Sequence, residues 1–184
     1  MKLRIGGILE RSTANGPGER FVVWTQGCTL ACRGCFNQGF WPAQGGCEIE
    51  PRALADRVNR LKGLRGVTVS GGEPLEQAQA VCEFLAALDP SLDSVLFTGF
   101  SAEEISGEIL ARADLIVAGR YVRELASEAN GWAGSSNKAV LALTGRVTPE
   151  EFPACRVEVQ IGPSGSSVMT GFPPAGLRNL TSLM

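Results

Sequence analysis

Cys28, Cys32 and Cys35 place three thiols within eight residues, in a CxxxCxxC run that follows the apolar stretch at 21–24. Thiolates at this spacing hold three corners of a 4Fe–4S cube and leave its fourth iron without a protein ligand. An iron with an open position is a place for chemistry rather than for electron storage alone. A zinc site would call for a further sulfur or nitrogen ligand, and no neighbouring residue supplies one. Downstream, Ser70-Gly71-Gly72-Glu73-Pro74 closes a short apolar strand. Glycines at such a turn let a ligand approach the backbone, and a carboxylate there can accept hydrogen bonds from an amine. The chain has no histidine. That removes the usual general base and any Ser/His/Asp or Cys/His arrangement.

These groups must be positioned by an alternation of short apolar strands and amphipathic helices. Residues 3–9 and 21–25 read as strands, separated by a turn at Asn15-Gly16-Pro17-Gly18. A Gly-rich linker around Gly45-Gly46 follows the cysteine loop, and a helix begins at Pro51 with Ala53, Leu54, Val58 and Leu61 on one face. Residues 67–69 form a buried strand; Pro74 then suits the first turn of a helix whose apolar face carries Val81, Leu85 and Leu88. After a strand at 95–97, Ser101 and Glu104 make a capping-box pattern for one helix reaching Leu110. Strands at 115–117 and 139–143 follow. Thr148-Pro149-Glu150-Glu151 starts a one-turn helix that Pro153 ends, and 156–161 with 167–170 flank Gly162-Pro163-Ser164-Gly165 as a closing hairpin.

Strand–helix alternation predicts right-handed crossovers and a mainly parallel sheet, with ligands at the carboxyl ends of its strands. The cysteine loop, Ser70 to Glu73, Thr98-Gly99 and Gly119-Arg120 all directly follow strands, so one sheet edge gathers these motifs. The βα units are too few for a closed eight-fold barrel. The expected fold class is therefore α/β, a partial, open (βα) barrel with a mainly parallel sheet and a C-terminal β-hairpin. The 184 residues are expected to form one domain, 1–184, with a core at about 19–161 and the hairpin extension at about 154–172. A net charge of −2 without a basic stripe gives no reason to expect nucleic acid. No apolar run approaches the roughly 20 residues of a membrane helix, and no secretory signal is visible, so the cytoplasm is expected. Cys82, in a helical pattern, and Cys155, beside a strand, read as buried small hydrophobes; Cys47, in a Gly-rich loop, has no assigned role.

On these motifs the chain resembles the radical S-adenosylmethionine (SAM) enzymes, whose signature is CxxxCxxC in the loop after the first barrel strand. The resemblance implies one 4Fe–4S cluster on Cys28, Cys32 and Cys35, with SAM chelating the open iron through its amino and carboxylate groups. Reductive C–S cleavage then releases methionine and a 5′-deoxyadenosyl radical. It also implies SAM contacts from Phe36, Asn37, Ser70, Gly71, Gly72, Glu73, Thr98 and Gly99, with Glu73 on the amino group.

Within that superfamily the chain is most similar to the activating proteins of anaerobic ribonucleotide reductase. Cys32-Arg33-Gly34-Cys35-Phe36-Asn37 resembles their Cys-Pro-Gly-Cys-aromatic-Asn, and Phe97-Thr98-Gly99-Phe100 their Tyr-Thr-Gly-Tyr. The segment from Asp114 through Arg120 to Tyr121 resembles their Asp-Val-Leu-Val-Asp-Gly-Arg-Phe, and Gly134-Ser135-Ser136-Asn137-Lys138 their Gly-Ser-Ser-Asn-Gln. The resemblance implies hydrogen abstraction from a glycine of a partner glycyl radical enzyme, with flavodoxin or ferredoxin as low-potential electron donor. Asp114, Arg120, Tyr121, Ser135, Ser136 and Asn137 are the candidate substrate residues. Ala118 departs from the pattern: it stands where these proteins carry a second acidic residue, on a strand expected to face the reaction centre. That departure keeps open a peptide or small-molecule target, such as a pterin-like precursor. A noncatalytic iron–sulfur or zinc module that docks partners is the third reading.

Overall fold

The structure, a computed structural model, describes residues 1–126, 131–152, 157–161 and 167–172. Among these, four parallel strands form the middle of a seven-stranded sheet: β2 (Arg20–Thr25), β4 (Gly66–Gly71), β5 (Asp93–Phe97) and β6 (Leu115–Ala118). On one side β1 (Leu3–Ser12) pairs antiparallel with β2, and the short β3 (Cys47–Ile49) pairs antiparallel with β1. On the other side β7 (Ala139–Ala142) pairs antiparallel with β6. Five of the seven strands thus run the same way, and a separate hairpin is made by β8 (Val157–Ile161) and β9 (Ser167–Gly171).

Several boundaries depart from the sequence pattern. Residues 47–49 extend the sheet rather than lying in a linker, which puts Cys47, exposed, on the edge strand β3. The strand at 139–142 runs antiparallel to β6; among the described residues between them, the helical turns are the short 3-10 turns at Arg123–Leu125 and Gly131–Ala133. The helix expected over 101–110 splits into a 3-10 turn, Ala102–Glu104, and α3 (Gly107–Leu110), since Ser106 caps a second start by accepting from Ile109 N. Pro153, Cys155, Arg156 and the turn at 162–165 lie outside the described residues.

Side-chain alternation along the parallel strands separates two faces. Phe21 and Val23 of β2, Val67 and Val69 of β4, Leu96 of β5, and Ile116 and Ala118 of β6 pack beneath the helices. There they meet Leu54 and Val58 of α1 (Pro51–Arg60) and Val81, Phe84 and Leu85 of α2 (Ala78–Ala86). In α1 the buried set is Pro51, Leu54, Ala55 and Val58, an i, i+3, i+4, i+7 stripe that leaves Ala53 exposed. Each large apolar side chain buried here contributes roughly 1.5–3 kcal/mol. The opposite face carries Val95, Leu115 and Val117 against Trp132, Val147 and Phe152, with the Trp132 and Phe152 rings stacked at 4.2 Å. Trp24, Thr68, Ser70 and Phe97 look onto this second face, which the hairpin partly covers.

This division corrects the expectation for Ala118. Its methyl group lies in the helix-side core, 1% exposed, rather than toward the face that holds the cysteines. An alanine there removes no charge from the site, so the main ground for a small-molecule or peptide target falls away.

Candidate metal centre

The cysteine loop leaves β2 through Gly27 and is hung from its surroundings by main-chain bonds. Gly27 N donates to Phe40 O (2.8 Å), Cys28 N to Trp41 O (3.0 Å) and Glu73 N to Gly27 O (2.8 Å). Gly27, Ala31 and Gly34 all have positive φ (100°, 44° and 79°), each turning the chain just before one of the three cysteines. For Ala31, which has a Cβ, that conformation costs roughly 1–2 kcal/mol. The outcome is three free, half-buried thiols on one short loop. Glu76 adds a brace: its Oε1 accepts from Thr29 N (2.7 Å) and Thr29 Oγ1 (2.6 Å).

Gly71 and Gly72 turn out to serve the protein's own packing. A Cβ on Gly71 would stand 2.4 Å from Thr25 N, and one on Gly72 would stand 2.2 Å from Gly27 O. The absent side chains therefore let the strand end and the cysteine loop meet backbone to backbone.

Glu73 is 1% exposed and receives three internal donors. Leu75 N (2.9 Å) and Thr98 Oγ1 (2.6 Å) reach Oε1, and Gly99 N (2.7 Å) reaches Oε2. Burial lifts its carboxyl above the ordinary value, the three donors counter this in part, and the Glu76 charge adds to the rise. A carboxylate has about four acceptor sites, so Oε2 keeps room for one further donor. Across the same edge lies Lys138, whose ammonium burial holds below its usual value while Cys32, Glu73 and Cys35 pull it back up. Among the described residues no carboxylate lies within ion-pair distance of it. Burial pushes the Cys28 thiol up, main-chain donors at Leu30 and Ala31 resist, and the charges of Glu73 and Glu76 reinforce the rise.

Beside Cys35 opens a chamber of about 270 Å³ on the second face of the sheet. Phe36, Asn37, Ser70, Tyr121 and Lys138 border it near the cysteines, while Asn15, Thr68 and Thr170 line it farther along the strands. Trp24, Phe97, Trp132 and Phe172 give it aromatic walls.

The predicted site residues are therefore distributed unevenly. Cys28, Cys32, Cys35, Phe36, Asn37, Ser70, Gly71, Gly72, Glu73, Thr98 and Gly99 gather at the carboxyl ends of β2, β4 and β5, with Tyr121 facing the chamber. Asp114 does not join them. It opens β6 at the opposite sheet edge, where its carboxylate accepts from Ser94 N (2.8 Å) and Thr144 Oγ1 (2.5 Å) and faces Arg146 at 3.5 Å. Ser135 is buried and its hydroxyl accepts from Val122 N (3.3 Å); Ser136 and Asn137 are exposed, with Asn137 Nδ2 donating to the carbonyl of the exposed Arg120 (2.9 Å). These three hold the 120–126 segment in place rather than lining the chamber. Lys138 closes the Gly-Ser-Ser-Asn-Lys motif but is not among its candidate site residues, and Glu76 and Thr68 lie outside the motifs; the signal for Thr68 was a polar residue within an apolar strand.

The donor set suits an iron–sulfur cube. Three free, half-buried thiols on one short loop match the donor chemistry of such a cluster. No helix of the described residues is long and apolar enough to cross a membrane.

The 4Fe-4S single cluster domain family matches residues 14–141. The chain is 31% identical over 142 residues to the anaerobic ribonucleoside-triphosphate reductase-activating protein of Vibrio cholerae serotype O1, covering 71% of this chain and 92% of that protein. It is 33% identical over 139 residues to the protein of the same name from Salmonella typhimurium, covering 68% and 90%. The corresponding protein of Enterobacteria phage T4 is 31% identical over 138 residues, covering 71% and 88%.

Proposed function

The chain belongs to the 4Fe-4S single cluster domain family, in the branch of the anaerobic ribonucleoside-triphosphate reductase-activating proteins, and from that premise we propose that it is a radical SAM activase. In this reading residues 1–184 form one domain, and the sheet with its one-sided helical layer is an open partial barrel. Cys28, Cys32 and Cys35 would hold a 4Fe–4S cluster. With cluster and SAM bound, the site would supply reductive cleavage of a sulfonium C–S bond by one electron from a low-potential donor such as flavodoxin or ferredoxin, releasing methionine and yielding 5′-deoxyadenosine once a hydrogen atom is taken from a partner's glycine Cα, which would be left as a glycyl radical. The glycine would belong to an anaerobic ribonucleotide reductase.

The chain's own residues have separable tasks. Glu73 offers its remaining acceptor site to the amino group of SAM, held in aim by Leu75 N, Thr98 Oγ1 and Gly99 N. Lys138, a buried cation across from Glu73, supplies the complementary charge for the carboxylate of SAM. Phe36, Asn37 and Ser70 border the cofactor, and Tyr121 closes the rim. Aromatic walls keep water from the reacting atoms.

The observation that carries the proposal is the meeting, at one sheet edge, of the three-thiol loop, the Glu73–Thr98–Gly99 cluster and a chamber opening beside Cys35. The test is an anaerobic one. Reconstituted protein with SAM and dithionite is expected to form 5′-deoxyadenosine and, with the reductase present, a glycyl EPR doublet. Deoxyadenosine no higher than in Cys32→Ala would end the assignment to this chemistry; deoxyadenosine without a doublet would end the activase assignment alone.

A further inference from the structure

The family match ends at residue 141, yet the chamber beside Cys35 is finished by residues beyond it. Val168, Met169, Thr170, Gly171 and Phe172, all on or just after β9, line it together with the cysteine loop and the strand ends. The hairpin is fixed to the body by specific, partly buried contacts. Asn15 Nδ2 donates to Thr170 Oγ1 (2.9 Å), with both residues buried, and Asn15 O accepts from Thr68 Oγ1 (2.7 Å), which joins the hairpin to the chamber's deeper end. Glu158 Oε2 accepts from Ser12 Oγ (2.9 Å) and Thr13 N (3.0 Å), and Gln160 Nε2 donates to Arg11 O (2.9 Å). The Phe172 ring rests against Phe97 at 5.7 Å. A segment tied down at this many points is a wall of the chamber, placed on the sheet face that the helices leave uncovered.

Resting on the activase reading, we propose that the β8–β9 hairpin selects the substrate. Met169, Thr170 and Phe172 restrict the space beside Cys35 to an extended stretch of the partner's polypeptide centred on a residue without a side chain. The size of the chamber argues for this: about 270 Å³ is at the small end of ligand pockets, which run roughly 300–1,000 Å³. The cofactor must share that volume with the target. Between aromatic walls, a glycine presents its Cα hydrogens directly, whereas a Cβ would point a side chain into Met169, Trp132 or Phe172. Asn15, Thr68 and Thr170 are occupied in holding the hairpin to the sheet, whereas the Ser70 hydroxyl borders the chamber where it can meet the donors and acceptors of a peptide backbone.

The experiment separates cofactor chemistry from substrate delivery. Met169 is half-buried on the hairpin, so Met169→Trp fills the chamber with little demand on the rest of the fold; Thr170→Val removes the bond to Asn15 and tests the same wall by a second route. Each variant is assayed for partner-free 5′-deoxyadenosine formation with dithionite, for the glycyl doublet on the intact reductase, and for binding of a synthetic peptide spanning the reductase's target glycine. In Met169→Trp the doublet is expected to fall by about a hundredfold, the cost of misplacing a reacting group by an ångström, and peptide affinity to fall with it, while partner-free cleavage falls far less. Thr170→Val is expected to move the same two readouts in the same direction by less. Deoxyadenosine and doublet falling in parallel would overturn the proposal by assigning the hairpin to the cofactor site or to folding. A doublet and peptide affinity unchanged in both variants would overturn it by removing the hairpin from the substrate's path. Wild-type protein that forms no deoxyadenosine would overturn the activase reading itself, and this proposal with it.

Discussion

The two ends of the parallel strands handle charge in opposite ways. At the amino ends, Arg20 is fully buried and lies 2.6 Å from Asp93 Oδ1, a contact without hydrogen-bond alignment; its own donors go to Thr68 Oγ1, Pro17 O and Val67 O. Arg65 reaches Asp93 Oδ2 (3.0 Å) and Glu151 (2.7 Å), and Arg146 faces Asp114. Burial lowers the Arg20 pKa, and the adjacent Asp93 carboxylate opposes the shift. At the carboxyl ends, Glu73 and Lys138 are both desolvated, and each is displaced toward its neutral form. One end pairs its charges with opposite charges; at the other, Glu73 is held by three neutral donors and Lys138 borders a chamber with no carboxylate paired to it among the described residues. Ionisable groups desolvated beside a cleft mark sites of chemistry more often than sites of structure.

Substitutions at the two ends should therefore fail differently. The largest effect is expected for Cys32→Ala: cluster absorbance, iron content and 5′-deoxyadenosine formation should vanish while the far-ultraviolet circular dichroism stays that of the wild type. Unfolding of that variant would erase the contrast. At the other end, Arg20→Met breaks a buried pair and should cost about 3–5 kcal/mol of stability, read as a lowered urea midpoint.

A smaller effect is expected for Glu73→Gln, which replaces a charged acceptor with a neutral one. A hydrogen bond to a charged group contributes about 1.5–3 kcal/mol, so SAM affinity measured by calorimetry should fall roughly ten- to a hundredfold, with no loss of iron. The smallest effect concerns pH and the hairpin. Burial pushes the Glu158 carboxyl up, but donors at Gln160, Ser12, Thr13 and Ala14 outweigh it and leave it below the ordinary value of 4.5. A depressed carboxyl stabilises above its unfolded value, and that stabilisation disappears as pH falls through the folded one. Amide protection factors in β8 and β9, corrected for the intrinsic exchange rate at each pH, should accordingly fall on acidification below 4.5, and Glu158→Gln should flatten the dependence.

Much of this organisation was legible in the sequence because the informative signals were local. The CxxxCxxC spacing, the Gly-Gly-Glu turn after an apolar strand and the capping pair at Ser101 and Glu104 each act within a few residues; the capping box forms, and the cysteine loop and the Gly-Gly-Glu turn lie at the same sheet edge. What could not be read depends on partners far along the chain. Asp114 looked like a site residue because its segment matched a family motif, but strand direction places it at the far edge, and only pairing between β5 and β6 fixes that. Ala118 was assigned to the wrong face for a related reason: a strand buried on both faces shows no polar alternation from which to read its orientation. The role of Thr170 depends on Asn15, 155 residues away, and no spacing rule links them.

The suspension of the cysteine loop from main-chain atoms has an evolutionary consequence. Since Gly27, Cys28 and Glu73 are placed by backbone groups of Phe40, Trp41 and Gly27, the identities of residues such as Arg33 and Gln38 carry little of the positioning. Homologous loops can then drift in composition while their sulfurs stay registered, and lineages are free to retune the electrostatics around the metal without rebuilding its mount.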